Sequence, residues 1–165
     1  MARKCFYSFH YQRDNWRASK VRNIGAIEGN QTVSDNDWET VTRGGDAAIE
    51  RWIADQMHGK SCTIVLIGAG TSGRKWINYE IAKTWNDKKG LLGIYVHRIT
   101  DVNNQPSKKG SNPFSGFTIQ QGRTSLESIV PVYNPPYLES KDAYGYISNN
   151  IEDWVDTAIA VRNRY

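Results

Sequence analysis

The run Cys62-Thr-Ile-Val-Leu-Ile67 constrains this chain more than any other stretch of it. It is apolar almost throughout and rich in β-branched residues, so neither of its faces is suited to water. That is the pattern of a central strand in a parallel sheet, covered by helices on both sides. A glycine-rich turn from Gly68 to Gly73 leads into a helical period from about Lys75 to Asn86. A second buried strand, Leu91 to Val96, ends at His97. Strand, helix and strand in that order make a crossover unit of a parallel sheet, and such units are right-handed.

The rest of the chain extends the same alternation. Residues 4–9 read as an aromatic-rich first strand. Asp14 to Asn23 reads as a short helix, with Asp14 or Asn15 as N-cap and Trp16 in the first turn. Gly25, Gly29, Asn30, Ser34 and Asn36 mark a loop, with a weak strand near Ile24–Ile27. Gly44-Gly45-Asp46 opens a helix to about His58, which serves as its C-terminal cap; Ile49, Trp52, Ile53 and Met57 form its apolar side. Residues 100–126 form a long polar loop, of a length that is usually functional or mobile. A strand from Ser128 to Tyr133 and the breaker Asn134-Pro135-Pro136 follow. A last helix over 141–163 carries Tyr144, Ile147, Ile151, Trp154, Val155 and Ala158 at helical spacing. The expected architecture is a single α/β domain over residues 1–165: a flavodoxin-like three-layer sandwich with a five-stranded parallel sheet in the order 2-1-3-4-5.

Composition excludes several function classes. No apolar run approaches the roughly 20 residues of a membrane span, and the Met-Ala-Arg-Lys start lacks a secretory h-region. Cys5 and Cys62 fall inside predicted strands, where thiols are usually core residues rather than a disulfide or a nucleophile. A soluble, cytoplasmic protein is therefore expected. The net charge of +4 is mild. It is spread along the chain with only short pairs such as Lys88-Lys89 and Lys108-Lys109, whereas a nucleic-acid binder usually shows a basic stripe interleaved with aromatics. No cluster of His, Cys, Asp and Glu has metal-ligand spacing, so no metal is expected.

In a sheet of this kind, ligands bind beyond the carboxyl ends of the strands, beside the switch point. Ser8, Phe9, His10 and Tyr11 fall there after strand one, Gly68 to Ser72 after strand three, and His97 after strand four. For His10 and His97, a phosphate or ribose contact competes with a purely structural role. Gly68-Ala-Gly-Thr-Ser-Gly73 matches the dinucleotide fingerprint G-x-G-x-x-G. It does not follow the first strand, however, and the strand after it ends in Val96-His97-Arg98 rather than in an acid. A plain permissive turn is the leading reading. A phosphate-contacting turn helped by Arg74 and Lys75 is the other. Asp14 and Asp101 suggest a phospho-receiver pocket, but Gly68 stands where a receiver requires an aspartate.

Trp76 and Glu80 lie four residues apart on the helix after the glycine turn, and so share one face; Ile77, Ile81 and Thr84 form the neighbouring stripe. Spacing alone leaves Glu80 either as a solvated carboxylate paired with Lys83 or Thr84, or as a site residue at the border of the core. The pattern Phe6-Tyr7-Ser8-Phe9, then Ser72-x-x-x-Trp76-x-x-x-Glu80, resembles that of TIR domains. More narrowly, four stretches are similar to the TIR-like proteins of the Thoeris anti-phage system. These are Phe6 to Tyr11, Val21-Arg22-Asn23, Trp76 to Ile81 and Lys109 to Phe114. The long loop 100–126 departs from the helix usual there.

The resemblance implies cleavage of NAD⁺ at the nicotinamide–ribose bond by an NAD⁺ nucleosidase or ADP-ribosyl cyclase-like enzyme. NAD⁺ is then substrate, with no cofactor, and a cyclic ADP-ribose-type product activates a separate nucleotide-sensing effector. Self-association is implied as well, with no nucleic-acid or membrane partner. Glu80 would be the catalytic carboxylate, and Ser8, Phe9, His10, Ser72 and Trp76 would contact the substrate. One carboxylate suffices for such a reaction. Nicotinamide leaves as a neutral molecule without protonation, unlike the alcohol of a glycoside, and an ionised Glu stabilises the oxocarbenium-like cation. Trp76 and Phe9 would keep water away. The alternative is a non-catalytic TIR-like interaction module.

Overall fold

The computed structural model describes residues 3–24, 27–29, 40–101 and 103–165. Its elements are β1 (Arg3–Ser8), α1 (Tyr11–Arg22), β2 (Ile27–Gly29), α2 (Asp46–Met57), β3 (Cys62–Ile67), α3 (Lys75–Asn86) and β4 (Gly90–Tyr95). After them come the short strands β5 (Thr118–Ile119), β6 (Thr124–Ser125) and β7 (Val132–Tyr133), and then α4 (Ser140–Arg162). The expected loop residues Gly25, Asn30, Ser34 and Asn36 lie outside the described residues. The strand expected near Ile24–Ile27 is displaced to β2.

The sheet is parallel and flanked by helices on both faces. At its centre β1 pairs with β3, bringing Cys5 opposite Cys62 and Ser8 opposite Val65. β3 pairs with β4 from Cys62–Gly90 to Ile67–Tyr95. Every residue of β3 and β4 is buried, as an apolar strand covered on both sides requires. The margins are short: β2 pairs with β1, and β7 with β4. Both cysteines are buried and free.

Alternation along the strands sorts the core into two layers. Cys5 and Tyr7 of β1, with Ile64, Leu66, Leu92 and Ile94, face α1 and α4, where Ile147, Ile151, Trp154 and Val155 cover them. Phe6 faces the opposite way, against Ile49, Ile53 and Met57 of α2, with Trp76 and Tyr79 of α3 alongside. Val65 and Ile67 meet Ile77 and Ile81 of α3. Ser8 shares the parity of Phe6 and therefore points at α3.

Three sequence expectations need correction. Helix α1 starts at Tyr11 with His10 at its N-cap position, so neither Asp14 nor Asn15 caps it. Asp14 is instead buried inside the helix, 3.2 Å from Arg17. The strand expected over Ser128–Tyr133 is reduced to Val132–Tyr133, preceded by a 3-10 turn at Leu126–Ser128. Pro131 has no N–H to donate and joins the sheet only through its carbonyl, which accepts from the Gly93 N–H at 3.0 Å. The polar stretch 100–126 contains the β5–β6 hairpin and sends the fully buried Phe114 into the layer under α3. Among the described residues, no helix is long and apolar enough to cross a membrane.

Candidate functional site

A cavity of about 540 Å³ opens beyond the carboxyl ends of β1 and β3. The segment after β1 contributes Phe9, His10 and Tyr11; the glycine turn contributes Gly70, Ser72 and Gly73; α3 contributes Arg74 to Ile77 and Glu80. Phe6 and Tyr7 of β1, Trp52 and Ile53 of α2 and Arg22 of α1 complete it. Among the described residues, Glu80 is the one acid in the lining.

Glu80 is neither solvated nor paired with Lys83. It is only 8% exposed, and Lys83 bonds Asp87 instead at 2.9 Å. Thr84 donates to the Glu80 backbone carbonyl at 2.7 Å, not to the carboxylate. The carboxyl oxygen Oε1 accepts from the Ser8 hydroxyl at 3.1 Å. Next to this pair, the Thr63 and Thr84 hydroxyls lie 2.7 Å apart. The two contacts form a short polar seam through an otherwise apolar layer. It exists because Ser8 and Thr63 have the strand parity that faces α3, while Glu80 and Thr84 are one helical turn apart.

Burial pushes the Glu80 carboxyl up to about 8, and the Ser8 hydrogen bond pulls it only partly back. With its pKa at about 8 the carboxyl is mostly protonated at neutral pH unless a positive partner stands beside it. A cation entering the cavity favours the ionised form and supplies the missing counter-charge.

The expected site residues divide as follows. Phe9, His10, Ser72 and Trp76 line the cavity with Glu80. Ser8 does not line it; it is 1% exposed and reaches the cavity only through its bond to Glu80. Trp76 stands edge-on to Tyr79 at 5.5 Å, which fixes its ring in the wall. Phe9 stacks on Tyr11 at 6.3 Å. His97 is not in the lining: it is buried at the end of β4, edge-on to Tyr95, and takes a hydrogen bond from Arg98. Burial and the nearby Arg98, Lys109 and Arg17 charges lower its pKa. The sequence reading gave Trp52 a core role alone and did not single out Arg22 as a site residue. Trp52 lies on the apolar side of α2, where a wall residue and a core residue look alike.

The glycine turn has its own local reasons. A Cβ on Gly68 would come within 2.2 Å of an Asp14 carboxylate oxygen, so this glycine is required by a buried neighbour rather than by a pyrophosphate. Gly73 takes a φ of 83°, open to few L side chains. Gly68→Ala is expected to lower stability by about 1–3 kcal/mol through overpacking. Thermal unfolding checks this; an unchanged midpoint would mean that Asp14 moves aside freely.

A parallel α/β sheet whose cavity is lined by one acid among the described residues fits the TIR-like class. Residues 6–101 match the family model described as "Thoeris protein ThsB, TIR-like domain". The chain belongs to this family. It is also 34% identical over 119 residues to a Bacillus cereus (strain MSX-D12) protein named "Putative cyclic ADP-D-ribose synthase ThsB1". That match covers 69% of this chain and 62% of the relative.

Proposed function

We propose that this protein cleaves NAD⁺ at the nicotinamide–ribose bond in the cavity around Glu80, and joins the ADP-ribose product into a cyclic signal. The signal would activate a separate nucleotide-sensing effector in anti-phage defence. The observation that carries this reading is Glu80 itself, among the described residues the one carboxyl lining the cavity, held by Ser8 and walled by Trp76 and Phe9. The name of the Bacillus cereus relative supports the cyclic product.

The residues supply the reaction in a simple order. The positive nicotinamide ring enters beside Glu80 and draws its proton away to solvent. The bond between the ribose anomeric carbon and the ring nitrogen then breaks, and its electron pair neutralises the ring. The positive charge moves to the ribose, where the carboxylate meets it in a site of low dielectric. A nucleophile within the same molecule captures the carbon and gives up a proton. Trp76 and Phe9 disfavour capture by water.

Nicotinamide release from NAD⁺ by the purified protein, concentrated and supplied with phage-infected lysate, tests the reading. Release by wild type that is lost in Glu80→Gln supports it. Equal release, or equal defence, by wild type and Glu80→Gln overturns it and leaves the assembly module. The Ser8 bond makes a further prediction. Ser8→Ala removes the one donor that lowers the Glu80 pKa, so the acid limb of the kcat/KM profile is expected to move above about pH 8. An unmoved limb would separate Ser8 from the titration.

A further inference from the structure

His10 is 7% exposed, yet it lines the cavity, and among the described residues no side chain of another residue bonds its ring. It is crowded by cations. A Cβ on Gly70 would lie 3.2 Å from the His10 ring and 3.4 Å from the Arg13 side chain, so ring and guanidinium flank the same turn from one side. Arg74, the N-cap residue of α3 and part of the cavity lining, also acts on the His10 charge. Burial first, then Arg74 and Arg13, lower the His10 pKa.

The nearby acids are partly committed, with Asp14 Oδ2 left without a hydrogen bond and under the pull of Arg13. Asp14 is bonded by Arg17, and Asp46 pairs with Lys75, so the Lys75 charge is partly spent and Arg74 is the free cation of that pair. Among the described residues, neither the Arg13 nor the Arg74 side chain has a hydrogen-bond or ion-pair partner. The first turn of α3 has no side-chain cap, so its leading N–H groups lack intrahelical acceptors at the same edge. Like charges and open donors converge there around a buried imidazole, an arrangement that an anion would relieve.

We propose that this edge of the cavity is a diphosphate-binding subsite, formed by His10, Arg13, Arg74 and the free N–H groups at the start of α3. The proposal rests on the NAD⁺ reading and names the part of the dinucleotide that the basic edge would take. It leaves the nicotinamide ribose for Glu80, one and a half turns further along the same helix. Lys75, which the sequence paired with Arg74 as a phosphate contact, is replaced in that role by Arg13.

Inorganic pyrophosphate and ADP, titrated into the purified protein, test the proposal without catalysis. Binding is read by calorimetry and by the His10 ring proton signals. The expected result is saturable binding of both, with the His10 pKa raised when the anion is bound. Arg13→Gln and Arg74→Gln are each expected to weaken binding by about tenfold or more, a typical loss for one charge-assisted contact. Both residues are exposed, so their replacement should leave the fold intact. Binding that is absent, that leaves the His10 signal unmoved, or that is indifferent to both arginine variants overturns the subsite. NAD⁺ consumption measured on the same preparations separates the two claims. Pyrophosphate binding without NAD⁺ turnover keeps the subsite and removes the NAD⁺ reading. Turnover with an unchanged KM in both arginine variants does the reverse.

Discussion

Glu80→Gln is expected to lower NAD⁺ turnover by a factor on the order of 10²–10³ or more, the usual loss when one preorganised electrostatic partner of the transition state is removed. Gln keeps the size of the side chain and its bond to Ser8, so the loss should appear in kcat rather than in folding. The wild-type pH profile carries the same signature. With Glu80 raised to about 8 in the free enzyme, kcat/KM is expected to climb with pH up to that value and then level. The kcat limb should lie lower, because the bound pyridinium favours the carboxylate. Stability moves in the opposite direction. A carboxyl whose folded pKa is raised contributes stability that is complete below its unfolded pKa of 4.5 and is lost as pH rises through about 8. Glu80→Gln should therefore be relatively more stable at pH 9 than at pH 5, by a few kcal/mol at most. Denaturant unfolding of both proteins at the two pH values measures that difference; no difference would mean that water reaches the carboxyl.

Arg17→Met is expected to give the largest loss of stability of any single change considered. Arg17 is 4% exposed and ties α1 to the segment after β4. Its guanidinium donates to the Ile99 carbonyl at 2.6 Å, to the Gln105 carbonyl at 2.9 Å and to Asp14 at 3.2 Å. Met keeps the stem but leaves Asp14 as an uncompensated buried carboxyl, whose pKa burial already raises against the pull of Arg17. Breaking a buried pair from one side costs about 3–5 kcal/mol. In a chain of this size that corresponds to a fall in Tm of roughly 6–20 °C. Asp14→Asn in the Arg17→Met background should recover part of it, since the stranded charge is then gone. A Tm within 2 °C or so of wild type for Arg17→Met would show that solvent satisfies these groups.

The parts of the fold that the sequence makes legible are those where one physical effect dominates. The run Cys62–Ile67 is apolar on both faces and can only be an inner strand; α3 and α4 carry uninterrupted helical periods. The start of α1 was not legible, because Asp14 is a favoured capping residue and nothing local shows that Gly68 and Arg17 enclose it. The last strand was shortened by Pro131, whose missing N–H is visible in the sequence. The site divides in the same way. Helix spacing puts Glu80 and Trp76 on one face but leaves Glu80 open between solvent and site, and the roles of Glu80, Trp76 and Ser72 come from the resemblance to TIR-like proteins; Ser8, expected as a substrate contact, is buried against Glu80 behind the lining. The seam of Ser8, Glu80, Thr63 and Thr84 joins β1 to the consecutive elements β3 and α3 across 72 residues of chain. The raised pKa of Glu80 is a property of that packing, not of the residue.

On the proposed reading, Glu80 is what would make this fold an NAD⁺-processing enzyme. Nucleotide analysis by mass spectrometry, on phage-infected cells carrying wild type or Glu80→Gln, tests it most directly. NAD⁺ is expected to fall, and nicotinamide and a species with the mass of a cyclised ADP-ribose to rise, in wild type alone. Identical nucleotide pools in the two strains, with defence intact in both, would contradict it.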